Sequence, residues 1–304
     1  MKPSTPIRPG RLGRLLCLGV LGAGLGWASA QAQTPQTSQP VDVLHWWTSA
    51  SERRAADQLS AHLSANGVQW VDAAIPGGGG MAAVKVLKSR VLAGDPPDVA
   101  QLIGNTLTEW ADGGLVLPLN AVATRQHWAQ TLFPTVMDLV SYKGEVIAAP
   151  LGVHRINVML YSRPVLARLG LPPPKTWADV EVLAGKLKGL GIKPLAWSDE
   201  AWQMATVFES VLLGETGAPL YRELIVQRKS EAWLDARVGR ALARLRWLRE
   251  LNGDVAQERP WTEAARELQA QGAAMMIMGD WAKGELMAWG AVPGKDFGCV
   301  AVPG

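Results

Sequence analysis

The sequence predicts an α/β fold in which parallel-type sheets are covered by helices. Between Val41 and Ala111, apolar runs of strand length alternate three times with segments of helical spacing, the pattern of strand-helix units in a parallel sheet. Turn signals such as Asn66-Gly67, Gly94-Asp95-Pro96-Pro97-Asp98 and Asp112-Gly113-Gly114 separate them. At 304 residues the chain is also long enough for two domains.

The first 32 residues stand apart. Lys2, Arg8, Arg11 and Arg14 make a basic leader, and Leu15 to Trp27 an apolar stretch too short to span a bilayer comfortably. Ala28-Ser29-Ala30 and Ala30-Gln31-Ala32 offer small-x-small cleavage sites, so 1–32 reads as a secretory signal peptide cut near Ala30 or Ala32. The mature protein is expected to be soluble and exported, with no membrane insertion. Cys17 lacks the small residues expected before a lipidated cysteine. The leader carries four basic and no acidic residues, so the net charge of +3 falls to −1 without it. No basic surplus remains to suit nucleic acid or an anionic membrane. Of two cysteines only Cys299 survives cleavage, which rules out an intramolecular disulfide. Residues 33–40, rich in Gln, Thr and Pro, read as a disordered mature N-terminus.

The first strand is the apolar run Val41, Val43, Leu44, which ends in Trp46-Trp47 and the polar turn Thr48-Ser49-Ala50-Ser51 before Glu52. Open α/β sheets bind ligands at the carboxyl ends of their strands. Flat indole faces suit the C–H surface of a pyranose, and a carboxylate accepts hydroxyl hydrogen bonds, so this end points to sugar. Adjacent strand residues face opposite sides, however, and one tryptophan of such a pair is ordinarily core. A helix follows to Asn66, then a strand over Val68 to Ile75. Pro76-Gly77-Gly78-Gly79-Gly80 precedes a helix from Met81 to Ala93. That loop has the form of a phosphate cradle, yet no Gly-Lys-Ser/Thr ends it, so a tight chain reversal is the expected role.

Val99 to Ile103 is a third strand and Thr106 to Ala111 a short helix. Ser141 to Ala148 reads as a small hairpin. Leu151 to Tyr161 runs extended, with His154, Arg155 and Asn157 among apolar residues, which suits either a crossover between lobes or an ordinary edge strand. Arg163-Pro164 starts a helix that Gly170 ends, and Thr176 caps the next, whose Trp177, Val180, Leu183 and Leu187 share a face. Ile192 to Trp197 is a strand. A helix then begins near Glu200 with Trp202 and Gln203 in its first turn, where a side chain reaches either a cleft or the core. Ala232 to Leu251 is a long amphipathic helix whose arginines read as solvated surface, and Trp261 to Gln271 is another. Ala273 to Met278 is a strand that delivers Asp280 and Trp281, and a final strand begins at Phe297.

Enzyme signatures are sparse. Four histidines form no His-Glu-x-x-His pattern, there is no Cys-x-x-Cys metal site, and no Gly-x-Ser-x-Gly elbow occurs. No cofactor is expected. Paired carboxylates such as Glu52 and Asp280 keep a secreted glycoside hydrolase open as the alternative.

The set Leu44-His45-Trp46-Trp47 with Glu52, the segment Pro76 to Met81, and Leu87 to Asp98 with Gln101 resemble the extracellular solute-binding proteins of ABC sugar importers, most of all the glucose/mannose-binding branch. His154-Arg155 with Asn157, Trp202-Gln203 with Phe208-Glu209-Ser210, and Gly272 to Trp281 continue the likeness over nearly the whole mature chain. The resemblance implies a two-lobed periplasmic-binding-protein fold with a hinge, closing over a monosaccharide such as glucose, in a periplasmic monomer served by a membrane permease and its ATPase. The lobes would fall at 41–150 for the first and 151–271 for the second, with 272–304 returning to the first. Trp46, Trp47, Glu52, Gln101 and Trp281 match positions used around the sugar, and Trp202 is a further ligand-binding candidate. Asp280 and His154 match positions that either touch it or brace the hinge.

Two departures from the family are expected to matter. Ile103 stands where glucose-binding relatives carry a basic or polar residue, and an unpaired sugar hydroxyl costs roughly 1 to 3 kcal/mol. Relatives also continue beyond the point matched by Gly304, so the chain reads as C-terminally truncated at the start of a crossing, with an incomplete second lobe and an uncovered apolar face, and a truncated non-binding remnant stands as a further alternative.

Overall fold

The computed structural model describes residues 40–253 and 259–304. The expected signal peptide, its cleavage site and residues 33–39 lie outside the described residues. The chain begins with β1 (Pro40–His45), α1 (Ala50–Ala65) and β2 (Gln69–Ala74). A single 3-10 turn over Gly78–Gly80 leads into α2 (Met81–Leu92), followed by β3 (Val99–Ala100) and α3 (Asn105–Asp112). These strands form one parallel sheet in the order β2-β1-β3, with Leu44 at the centre opposite Ala73 and Ala100. Leu44, Trp46, Ala83, Leu87 and Trp110 make its core, where α2 and α3 cover the central strand. β3 is shorter than the expected 99–103 strand, because pairing with β1 stops at Ala100.

Three short helices, α4 (Asn120–Arg125), α5 (Trp128–Thr131) and α6 (Pro134–Leu139), lead to the antiparallel hairpin β4 (Ser141–Tyr142) and β5 (Glu145–Val146). Residues 151–157 are without regular structure, and β6 (Val158–Ser162) begins only after them. Next come α7 (Arg163–Leu169), α8 (Trp177–Leu187), β7 (Lys193–Leu195) and α9 (Ala201–Tyr221). α9 is broken at Gly217, where φ is 74° and Pro219 follows. A further turn over Ser230–Leu234 replaces the expected first turn of the arginine-rich helix, so α10 covers Ala236–Glu250. Asp235 caps it by accepting the Arg237 N–H at 2.8 Å. The remainder is α11 (Trp261–Gln269), β8 (Ala273–Ile277), α12 (Trp281–Ala288) and β9 (Phe297–Ala301).

The second sheet has the order β7-β8-β6-β9. β7 and β8 are parallel, while β6 runs antiparallel to both β8 and β9. Apolar content announces a buried strand but carries no information on its direction, so the mixed sheet was not legible in the pattern. Every residue of β6 and β8 is buried. Successive β6 residues alternate between two cores. Met159 and Tyr161 pack with α7, α8, α9 and α10, while Val158 and Leu160 pack with α11 and α12. Helices therefore cover both faces of this sheet, which explains why its strands are continuous apolar runs. No helix among the described residues is long and apolar enough to cross a membrane.

Candidate functional site

The end of β1 turns into α1 through residues that hold one another. His45 is 3% exposed, and its Nε2 lies 2.8 Å from Asp72 Oδ1 on β2. The Trp47 N–H donates to His45 Nδ1 at 3.1 Å, so Nδ1 is bare and Nε2–H is the donor to Asp72. Burial opposes ionisation of Asp72, but hydrogen bonds from His45, Trp70 and Arg53 outweigh it and hold the carboxyl down at about 2. The neighbouring Trp46 N–H donates to Gln101 Oε1 at 3.3 Å, just beyond β3. Glu52, the third residue of α1, accepts the Thr48 and Ser49 N–H groups on Oε2 at 3.3 and 3.1 Å. One oxygen of the expected ligand carboxylate is thus spent on closing the first turn of its own helix. Trp46 is only 7% exposed and belongs to the core of the first sheet, whereas Trp47 is half-buried. Ile103 is 54% exposed.

A second group of candidate residues gathers around α9 and α12. Trp202, in the first turn of α9, is tilted against Trp281 with ring centres 6.1 Å apart, and meets Trp261 edge-on at 6.4 Å. Trp281, the first residue of α12, meets the His154 ring edge-on at 5.3 Å. His154 Nδ1 lies 2.9 Å from Asp280 Oδ1, and the Asp280 N–H donates to the Arg155 carbonyl at 2.9 Å. Trp202, Trp281, His154 and Asp280 therefore make a continuous chain of contacts. The Trp202 Nε1–H is buried without a hydrogen-bond partner.

The glycine run brings the two groups together. A methyl group on Gly78 or Gly79 would collide with the Trp202 indole, and one on Gly80 would lie 2.7 Å from the Trp46 ring. Reading the run as a chain reversal accounts for the positive φ of Gly79 and Gly80 but not for this contact. A further tie between these regions is Glu285 of α12, which no motif announces. It is 1% exposed and accepts the Ala50 N–H at 3.2 Å, the Ser51 N–H at 2.8 Å and the Ser51 hydroxyl at 2.7 Å. Burial raises its pKa, but these bonds together with contacts to Ser49 more than compensate and hold it below the ordinary value. A carboxylate at the N-terminus of α1 also meets the positive end of the helix dipole. Among the described residues, no group of three or more His, Cys, Asp and Glu side chains is placed to hold a metal ion.

Residues 27–304 match the model of the bacterial extracellular solute-binding protein family. A probable sugar-binding periplasmic protein of Brucella melitensis is 33% identical over 294 residues, which cover 97% of this chain and 70% of that protein. A protein of the same description from Rhizobium meliloti is 34% identical over 273 residues, covering 90% of this chain and 66% of its own length. Among solved structures, the bacterial solute receptor AcbH, described as having an exclusive preference for β-D-galactopyranose, superposes with a TM-score of 0.73. It is 22% identical and the match covers 87% of this chain and 66% of that one, a likeness of fold. With its two helix-covered sheets, the chain belongs to the bacterial extracellular solute-binding protein family.

Proposed function

We propose that this protein is the periplasmic sugar-binding component of an ABC importer, that it seats a hexose ring such as glucose, and that it presents the sugar to a membrane permease and its ATPase by closing about a hinge. The observation that carries the reading is that one glycine run packs against Trp46, whose N–H is held by Gln101, and against Trp202, which continues through Trp281 and His154 to Asp280. Indole faces supply apolar area to a sugar ring, and the carboxylates and amide supply acceptors and donors for its hydroxyls. The relatives described as sugar-binding periplasmic proteins support the same ligand class. The hinge would lie in the irregular segment 151–157, between a first lobe over 41–150 and a second over 151–271, with 272–304 returning toward the first. Swinging the glycine run away from Trp202 would expose the partnerless indole N–H to a sugar hydroxyl. Nothing in the geometry favours a hydrolase, since Glu52 caps α1 and Asp280 is engaged by His154.

Tryptophan emission of the purified mature chain, titrated with glucose, mannose and galactose, tests the proposal. A saturable change is expected with one of them, and ligand at 100 times its dissociation constant should raise stability by about 2.7 kcal/mol in a parallel melt. A cooperatively melting protein that responds to no sugar, or one that turns over a chromogenic glycoside, would overturn it.

A further inference from the structure

Six consecutive backbone amides, from Trp46 to Ser51, donate to side chains around the turn that carries Trp47. Gln101 accepts the first, Glu52 the third and fourth, and Glu285 the last two, all through oxygens. The second, from Trp47 itself, ends on a nitrogen, His45 Nδ1 at 3.1 Å. An amide or carboxylate oxygen accepts as it stands, but Nδ1 accepts only while the proton of a neutral imidazole is on Nε2. Asp72 selects that tautomer. It accepts from Nε2 at 2.8 Å and is itself fixed by Trp70 Nε1 at 3.0 Å and by Arg53 Nη1, which reaches both of its oxygens at 3.1 and 3.0 Å. His45 is 3% exposed, and its ring stands edge-on to Trp47 and Trp70 with centres 6.5 and 5.8 Å away. The imidazole is therefore held on every side, with its acceptor aimed at the Trp47 backbone. Of the two adjacent indoles Trp46 is core, which leaves half-buried Trp47 to face a ligand. A turn fixed before the ligand arrives removes an ordering cost from binding.

We infer that His45 is a positioning residue of the proposed sugar seat: it holds the Trp47 backbone, and through it the indole, in the binding geometry, with Asp72 setting its tautomer. The inference rests on the sugar-binding reading above. Two substitutions separate the two bonds of the ring. In His45→Asn the side-chain oxygen stands close to the place of Nδ1 and accepts the amide two residues on, as in an Asx turn, while the bond to Asp72 is lost. In His45→Gln the longer amide reaches Asp72 as Nε2 does, and the Trp47 amide loses its acceptor. The test is calorimetric titration of the full mature chain and both variants with glucose, mannose and galactose, with thermal melts to check folding. Each variant loses one bond and melts lower, but His45→Asn should keep its sugar affinity within about threefold while His45→Gln binds about tenfold more weakly. Equal affinities, or a loss in His45→Asn at least as large as in His45→Gln, would sink the inference and leave the sugar reading standing. If either variant does not fold, long-range proton–nitrogen spectra of the parent decide. A bare Nδ1 on His45 whose signal moves on adding the sugar that binds is expected, and a proton on Nδ1, or a signal indifferent to that sugar, would overturn the positioning role. A folded parent that binds none of the three sugars would sink the positioning role and the sugar reading together.

Discussion

Gly78 and Gly80 are glycine for different reasons. Gly80 has φ 76° and lies against Trp46, so both backbone and contact exclude a side chain. Gly78 has no left-handed φ, yet its missing side chain is where the Trp202 indole sits. Gly78→Ala therefore isolates the contact: about 1 to 3 kcal/mol of stability should be lost in urea melts, with a shift in tryptophan emission as Trp202 moves. Gly94→Ala is the control. It has φ 76° but open space around it, so it should cost about 1 to 2 kcal/mol with emission unchanged. The glycine run was visible in the sequence as a turn, but its second role was not, because the partner indole comes from a helix more than a hundred residues later. Asp72 carries a pH prediction. The Asp72 carboxyl is held at about 2, below the ordinary aspartate range, so its stabilisation is fully present above about pH 4 and is lost as pH falls toward 2. Asp72→Asn should flatten the stability profile between those values, by at most about 1 kcal/mol because Asp72 is partly solvated. Melts of both proteins at pH 2 to 5 check this.

Glu285 shows what one side chain does for two elements. It links α12 to the first-turn amides of α1, directly after the turn that carries Trp47. Glu285→Ala should cost roughly 1 to 3 kcal/mol, since two partly buried amides and a hydroxyl lose their acceptor. Its folded pKa is lowered, so its contribution is present above the ordinary glutamate value and fades as pH drops below it. Urea melts of the variant at pH 7 and pH 4 should therefore differ less than those of the parent protein. Elements with local signals were legible. Thr176 accepts the Asp179 N–H at 3.2 Å and caps α8 as its sequence announces, and Gly170 ends α7 in the left-handed region at φ 63°. The 151–161 segment was less legible. Only Val158 onward pairs as a strand, because polar residues before it find partners such as Asp280 instead of a neighbouring strand.

In the whole molecule, the second sheet is the larger structural investment. Met276 of β8 is wholly buried, and Met276→Ala should cost about 2 to 5 kcal/mol, read by chemical denaturation, without changing which sugar is bound. If the proposed hinge operates, saturating sugar should reduce the radius of gyration in solution scattering, and an unchanged value would exclude closure. Local sequence determined most of the α/β pattern. Strand and helix positions follow from apolar spacing, caps and glycine breaks, which act within a few residues and so are written along the chain. The aromatic and carboxylate candidates were legible for the same reason, as residue types placed at strand ends. Only the tertiary structure decided that Trp46 is core, that Glu52 caps its own helix, that β6 runs antiparallel to its neighbours, and that Glu285 and the glycine run tie distant segments together. Those outcomes depend on which surfaces meet across large sequence separations, and buried polar groups and close-packed rings choose partners by geometry that no local pattern records.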